Sequence, residues 1–240
     1  MLWKAARSVM GILLLPLCVA AGRAVFGLLK DLHSTNGSLI PLPAAAVLIG
    51  IGLWLLVYFL LPRPVRSYIL AHELTHAIWA AILGERVLSM KVSRSSGSVT
   101  LSDSNFLITL APYFFPLYTF LVMVAYPLAG LFLDMAPFRL VWLALVGFTW
   151  SFHVTFTIAS LCVRQPDIRE CGYVFSYALI LLMNILVVGV GITAVSPARL
   201  EDFAGHLARA SIETAAATVK FARKAAHFVS TIRPGVCTLN

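Results

Sequence analysis

The chain has 240 residues, of which 60% are hydrophobic and 12% charged, with a formal net charge of +8 and a mean hydropathy of +0.91. A soluble domain carries about a quarter charged residues, so this composition excludes a soluble protein and leaves no room for a large soluble domain. The basic residues are scattered through short loops and the tail after residue 198. That pattern fits charges flanking a lipid bilayer and argues against nucleic acid as a partner.

Lipid offers the backbone no hydrogen bonds, so spans are helices or closed barrels, and long non-alternating apolar runs select helices. Lys4 and Arg7 precede an apolar run from Val9 to Ala21, as in a secretory signal. The apolar character resumes from Val25 to Leu29, which favours an uncleaved first span over about 8–29. A second span over about 43–61 ends at Pro62-Arg63-Pro64, and a third over about 66–83 stops at Gly84. Residues 86–101 alternate apolar and polar around Ser95-Ser96-Gly97-Ser98, the pattern of a β-hairpin. A fourth span over about 106–132 begins near Pro112 and Pro116, and a fifth and sixth cover about 138–163 and 173–195.

After Pro197, apolar residues interspersed with Arg209, Lys220, Arg223 and Lys224 read as an amphipathic surface helix with a break near Ser211. The expected fold is therefore an all-α polytopic membrane protein. It has about six transmembrane helices and a small β-hairpin after the third, with residues 1–196 embedded and 197–240 a basic C-terminal tail. Six crossings put both termini on one side, and the Lys/Arg distribution favours the cytoplasm. Cys18, Cys162, Cys171 and Cys237 show neither metal-ligand nor paired spacing.

The third span carries His72-Glu73-Leu74-Thr75-His76. On a helix, histidines four apart share a face, so both imidazoles can bind one Zn²⁺, with Glu73 placed to take a proton from zinc-bound water. Ionisable groups inside a membrane span are costly and mark a functional site by default. A catalytic zinc takes three protein ligands, so a third must come from elsewhere. Asp103, Asp134, Asp167 and Glu170 are the acidic candidates, and Asp167 stands out because Pro166 before it can let the chain dip inward. Thr149, His153, Thr157 and Ser160 form a polar stripe on the fifth span. His153 lies at the depth of the two motif histidines, which makes it a rival third ligand or a group that contacts substrate.

These features together resemble the site-2 protease family of intramembrane zinc peptidases, in its compact bacterial branch. The order matches over roughly residues 66–196: the His72–His76 motif, a hairpin with Gly97-Ser98-Val99, a helix opening with Ala111-Pro112-Tyr113-Phe114-Phe115-Pro116, and a broken helix with an aspartate. The resemblance implies that Asp167 completes a zinc site with His72 and His76 and that Glu73 is the general base. It implies peptide-bond hydrolysis in membrane-spanning or membrane-proximal protein substrates, at a bacterial cytoplasmic membrane. The family's Asp-Gly pair is absent, since Ile168 follows Asp167, and its Gly-Pro-Asn pattern is replaced by Ala111–Pro116. A hairpin edge within 86–101, tested along 87–92, is expected to hold unwound substrate by strand addition. The rival readings are a non-proteolytic membrane scaffold and a metal transporter that keep the motif; a scaffold has no chemical use for Glu73.

Overall fold

A computed structural model describes residues 2–36 and 40–232; Cys237 and the end of the tail from 233 lie outside the described residues. The chain forms α1 (Leu2–Asn36), α2 (Leu42–Leu60), α3 (Val65–Ile82), β1 (Val87–Val92), β2 (Gly97–Leu101), α4 (Phe106–Leu110) and α5 (Leu117–Ala129). It continues with α6 (Arg139–Leu161), α7 (Pro166–Cys171), α8 (Tyr173–Val195) and α9 (Leu200–Ile232), and 3-10 turns occupy Ala111–Tyr113 and Ala136–Phe138.

Among the described residues, four stretches are long and apolar enough to cross a membrane: Ala6–His33, Leu42–Leu60, Ala136–Leu161 and Tyr173–Val195. A fifth arises if Phe106–Tyr113 and Leu117–Ala129, bent by 79°, count as one. The bend has a local cause, since Pro112 and Pro116 carry no N–H and disfavour helix at the residues before them. The expected helix over 66–83 is present as α3, but Arg66, His72, Glu73 and His76 leave it too polar to join this set.

The directions of the helices also differ from a six-span chain. Along α1 and α8, Arg7 meets Glu170, Gly11 abuts Phe175, and the Cys18 thiol meets the Ala178 carbonyl, so the two helices run parallel. Val47 abuts Gly147, Trp54 packs on Phe152 and Tyr58 on Phe156, so α2 and α6 are parallel as well. Six alternating crossings would make both pairs antiparallel. Five segments, with the bent α4–α5 unit third and α3 outside the count, reproduce every observed direction.

Close backbone approach holds α2 to α6. A Cβ on Gly50 would lie 1.8 Å from the Ala144 carbonyl oxygen, and one on Gly147 would lie 2.1 Å from that of Val47. Such small-residue contacts replace the hydrophobic effect between helices, which lipid does not supply. Trp54 fills the next turn, its indole N–H donating to Thr155 Oγ1 at 2.9 Å while Phe148, Phe152 and Phe156 surround the ring.

In place of a break near Ser211, α9 is one continuous helix. Phe203, Ala210 and Thr214 on one face are buried, and the Asp31–His206 hydrogen bond and the Arg23–Glu213 ion pair show that α9 runs antiparallel to α1. Residues 215–228 are exposed throughout.

In a cysteine-free background, a reporter ahead of α1 and a cysteine at Ser196 are expected on opposite membrane faces when tested with an impermeant thiol reagent. Labelling from the same face would restore six crossings.

Candidate metal centre

The site is built on α3. This helix ends where Gly84 takes a positive φ of 86°, and the Gly84 and Glu85 N–H groups return to the carbonyls of Ala81 and Ala80. His72 and His76 lie on the face turned toward α4, α7 and the Ala111–Tyr113 turn. Their rings meet edge to face with centroids 4.9 Å apart.

The imidazole of His76 is oriented by a carbonyl that proline sets free. In a continuing helix the Ile108 carbonyl would accept from the N–H four residues on, but that residue is Pro112, which has none. His76 Nδ1 lies 2.9 Å from this oxygen. A carbonyl only accepts, so Nδ1 carries the proton and Nε2 presents a lone pair. Asn105 fixes the start of α4 by accepting from Leu107 and Ile108 N–H at 2.9 and 3.1 Å.

Asp167 arrives from the far end of the membrane helices. α6 stops at Leu161, four residues turn the chain, and Pro166 opens the short helix α7 as its first residue. This delivers Asp167 Oδ2 to 3.6 Å from His72 Nε2 and 3.8 Å from His76 Nε2. The Tyr113 hydroxyl donates to the same oxygen at 2.8 Å, and the Tyr113 ring stands edge-on to His72 at 5.3 Å. Tyr113 is held in turn by Asn184, which donates to its carbonyl at 2.9 Å. Burial pushes the Asp167 carboxyl up, but His72, Tyr113 and His76 beside it outweigh burial and hold it below its ordinary value.

The donor chemistry suits a divalent metal. One atom from each of His72, His76 and Asp167 lies within 4.8 Å of the others. A tetrahedral ion with bonds of about 2.0–2.1 Å sets its ligands about 3.4 Å apart, and Asp167 Oδ2 lies within a few tenths of an ångström of that spacing from each imidazole. Two imidazoles and one carboxylate are donors that first-row divalent ions, zinc among them, accept.

Glu73 shares the cleft but stands apart from the three donors. It is buried beneath β2, where a Cβ on Gly97 would fall 2.6 Å from the Glu73 Cγ. The cleft, about 430 Å³, is lined by His72, Glu73, His76, Asp167 and the β2 residues Ser98 and Val99. Strand β1, the expected edge along 87–92, does not line it.

His153 does not join the three-donor group. It is buried behind His72 beside a cavity of about 20 Å³, shared with Thr75 and Thr149, which has room for about one water. Its Nε2 has no hydrogen-bond partner among the described residues. Asp103 and Glu170 line the cleft mouth, and Asp134 accepts from the Ala136 N–H in the loop before α6. Tyr113, Asn184 and the Ile108 carbonyl were not identified as site groups from sequence. The one available signal was the pair of prolines, which free carbonyls but do not say what will use them.

Replacing Tyr113 by Phe removes one hydrogen bond to Asp167 while keeping the ring. Metal affinity is expected to fall about tenfold in a competition titration, as for other groups that orient a ligand. Unchanged affinity would show that Asp167 is held without it. Comparison with protein-family models, curated proteins and solved structures finds no match for this chain.

Proposed function

We propose that this chain is a membrane-embedded zinc metalloendopeptidase of the site-2 protease type, acting on membrane-spanning or membrane-proximal protein substrates. One observation carries the reading: a three-donor metal cluster and a separate carboxylate, Glu73, face one cleft bordered by a β-strand. A metal store or transporter has no evident use for a carboxylate held beside the donors but outside their cluster.

Bound at these donors, zinc supplies Lewis acidity toward a carbonyl oxygen and toward water. The remaining work belongs to the chain. Glu73 accepts the proton of the attacking water and passes it to the departing amine nitrogen as the peptide C–N bond breaks. His76 and Asp167 are kept in register by the Ile108 carbonyl and the Tyr113 hydroxyl, so no reorientation is needed during the reaction. An unwound substrate leaves backbone groups unpaired, and β2 is the strand placed to pair them. The polar stripe divides between two roles: Thr149 and His153 border the small cavity behind His72, and Thr157 opens toward an apolar cavity between α1, α6 and α8.

The test uses the protein in a bilayer with single-span substrates. Glu73→Gln is expected to lower cleavage by at least a thousandfold while metal content stays at the parental level. Equal cleavage by the variant would remove Glu73 as the base and, with it, this reading. In the same assay, proline at Ser98 and at Lys91, which face each other in the hairpin register, separates the strands. Loss with Ser98→Pro and retention with Lys91→Pro is expected if β2 receives substrate; equal effects would mean that only hairpin integrity matters.

A further inference from the structure

The carboxylate of the candidate centre rides on α7, which is only six residues long. A helix of that length does not hold itself, because nucleation costs more than so few hydrogen bonds return. Something outside α7 must fix it, and one agent is the N-terminal helix. Arg7 Nη1 donates to the Glu170 carbonyl at 2.5 Å. That carbonyl lies in the last turn of α7, where orphan acceptors and the helix dipole both favour a cation.

The same face of α1 continues the contact. Gly11, one turn on, lies against the backbone that starts α8, and a Cβ there would come within 2.7 Å of the Phe175 nitrogen and the Val174 carbonyl carbon. Leu14 packs on the cluster containing Ile168, Cys171 and Phe175, and the Cys18 thiol reaches the Ala178 carbonyl at 3.5 Å. Positions 7, 11, 14 and 18 recur at spacings of four, three and four, one stripe of a helix. Between α7 and α8 the chain turns at Gly172, whose φ of 92° a side chain would strain. The corner is therefore shaped by Gly172 and gripped from outside by α1.

We infer that α1 is part of the metal centre, with Arg7 a positioning residue that acts through α7 to place Asp167. The inference rests on the reading that His72, His76 and Asp167 hold a metal. It assigns a structural duty to a charge that sequence alone assigns to membrane topology.

Two measurements on the full chain in nanodiscs test it. The first needs no metal: hydrogen exchange of the 167–172 amides, including the Arg169 and Gly172 N–H groups bonded within α7. Arg7→Gln is expected to speed their exchange about tenfold, with Arg7→Lys restoring most of the protection. Unchanged exchange overturns the inference, whatever the metal does. The second is Co²⁺ affinity in a cycle with Asp167→Ala. Arg7→Gln is expected to weaken binding about tenfold in the parent, the size typical of residues behind a ligand, and to have no effect once Asp167 is gone. An equal loss in both backgrounds would show that Arg7 does not act through Asp167 and overturns the assignment. If the parent binds Co²⁺ no better than the His72→Ala, His76→Ala variant, the metal reading itself fails, and the exchange result alone decides whether α1 fixes α7.

Discussion

Everything proposed for this chain depends on one meeting: the Asp167 carboxylate against two imidazoles from α3. The carboxylate and the imidazole pair come from segments far apart in sequence, and each is exacting to place in an apolar protein. An unpaired carboxylate away from water is costly, and a histidine pair alone leaves a metal short of ligands. Their approach to 3.6 and 3.8 Å therefore determines what the neighbouring elements must do. α4 must break so that its carbonyl can hold His76, α6 must end early, and α7 must be pinned from outside.

The membrane setting explains how such a polar site is supported. Lipid supplies no hydrophobic drive between helices, so the frame relies on close backbone contact at Gly50 and Gly147 and on the aromatic cluster around Trp54. That frame leaves large apolar side chains such as Leu13, Phe26, Phe59 and Phe132 facing outward. Inside it, prolines do a specific job. Pro112 releases the Ile108 carbonyl to His76. Pro116 removes a donor three residues beyond Tyr113, and the Leu117 N–H turns to Phe115, so the Tyr113 carbonyl is free for Asn184. Broken helix is tolerated at membrane depth only where protein groups take up the freed backbone, and here they orient the site.

Much of this was legible in advance. The spans around α1, α2, α6 and α8, the hairpin and the shared face of His72 and His76 follow from apolar run length, period-two alternation and i, i+4 spacing. Asp167 was favoured because Pro166 precedes it, and the chain indeed ends α6 at Leu161 and restarts at Pro166. Other features were not readable. Whether α3 crosses depends on helix directions, which no local pattern encodes. The choice of β2 over β1 beside Glu73 depends on how the hairpin leans, since both strands alternate alike. Arg7 looked like a flanking charge because its partner is a backbone carbonyl, which has no sequence signature.

The most direct test of the central claim is X-ray absorption on purified protein loaded with one equivalent of Zn²⁺. The expected spectrum is that of a four-coordinate site with two imidazole nitrogens and light oxygen or nitrogen ligands at about 2.0–2.1 Å. The Asp167→Ala protein is expected to lose one oxygen ligand while keeping both imidazoles. A spectrum with fewer than two imidazoles, or one that Asp167→Ala leaves unchanged, would contradict the site and the function built on it.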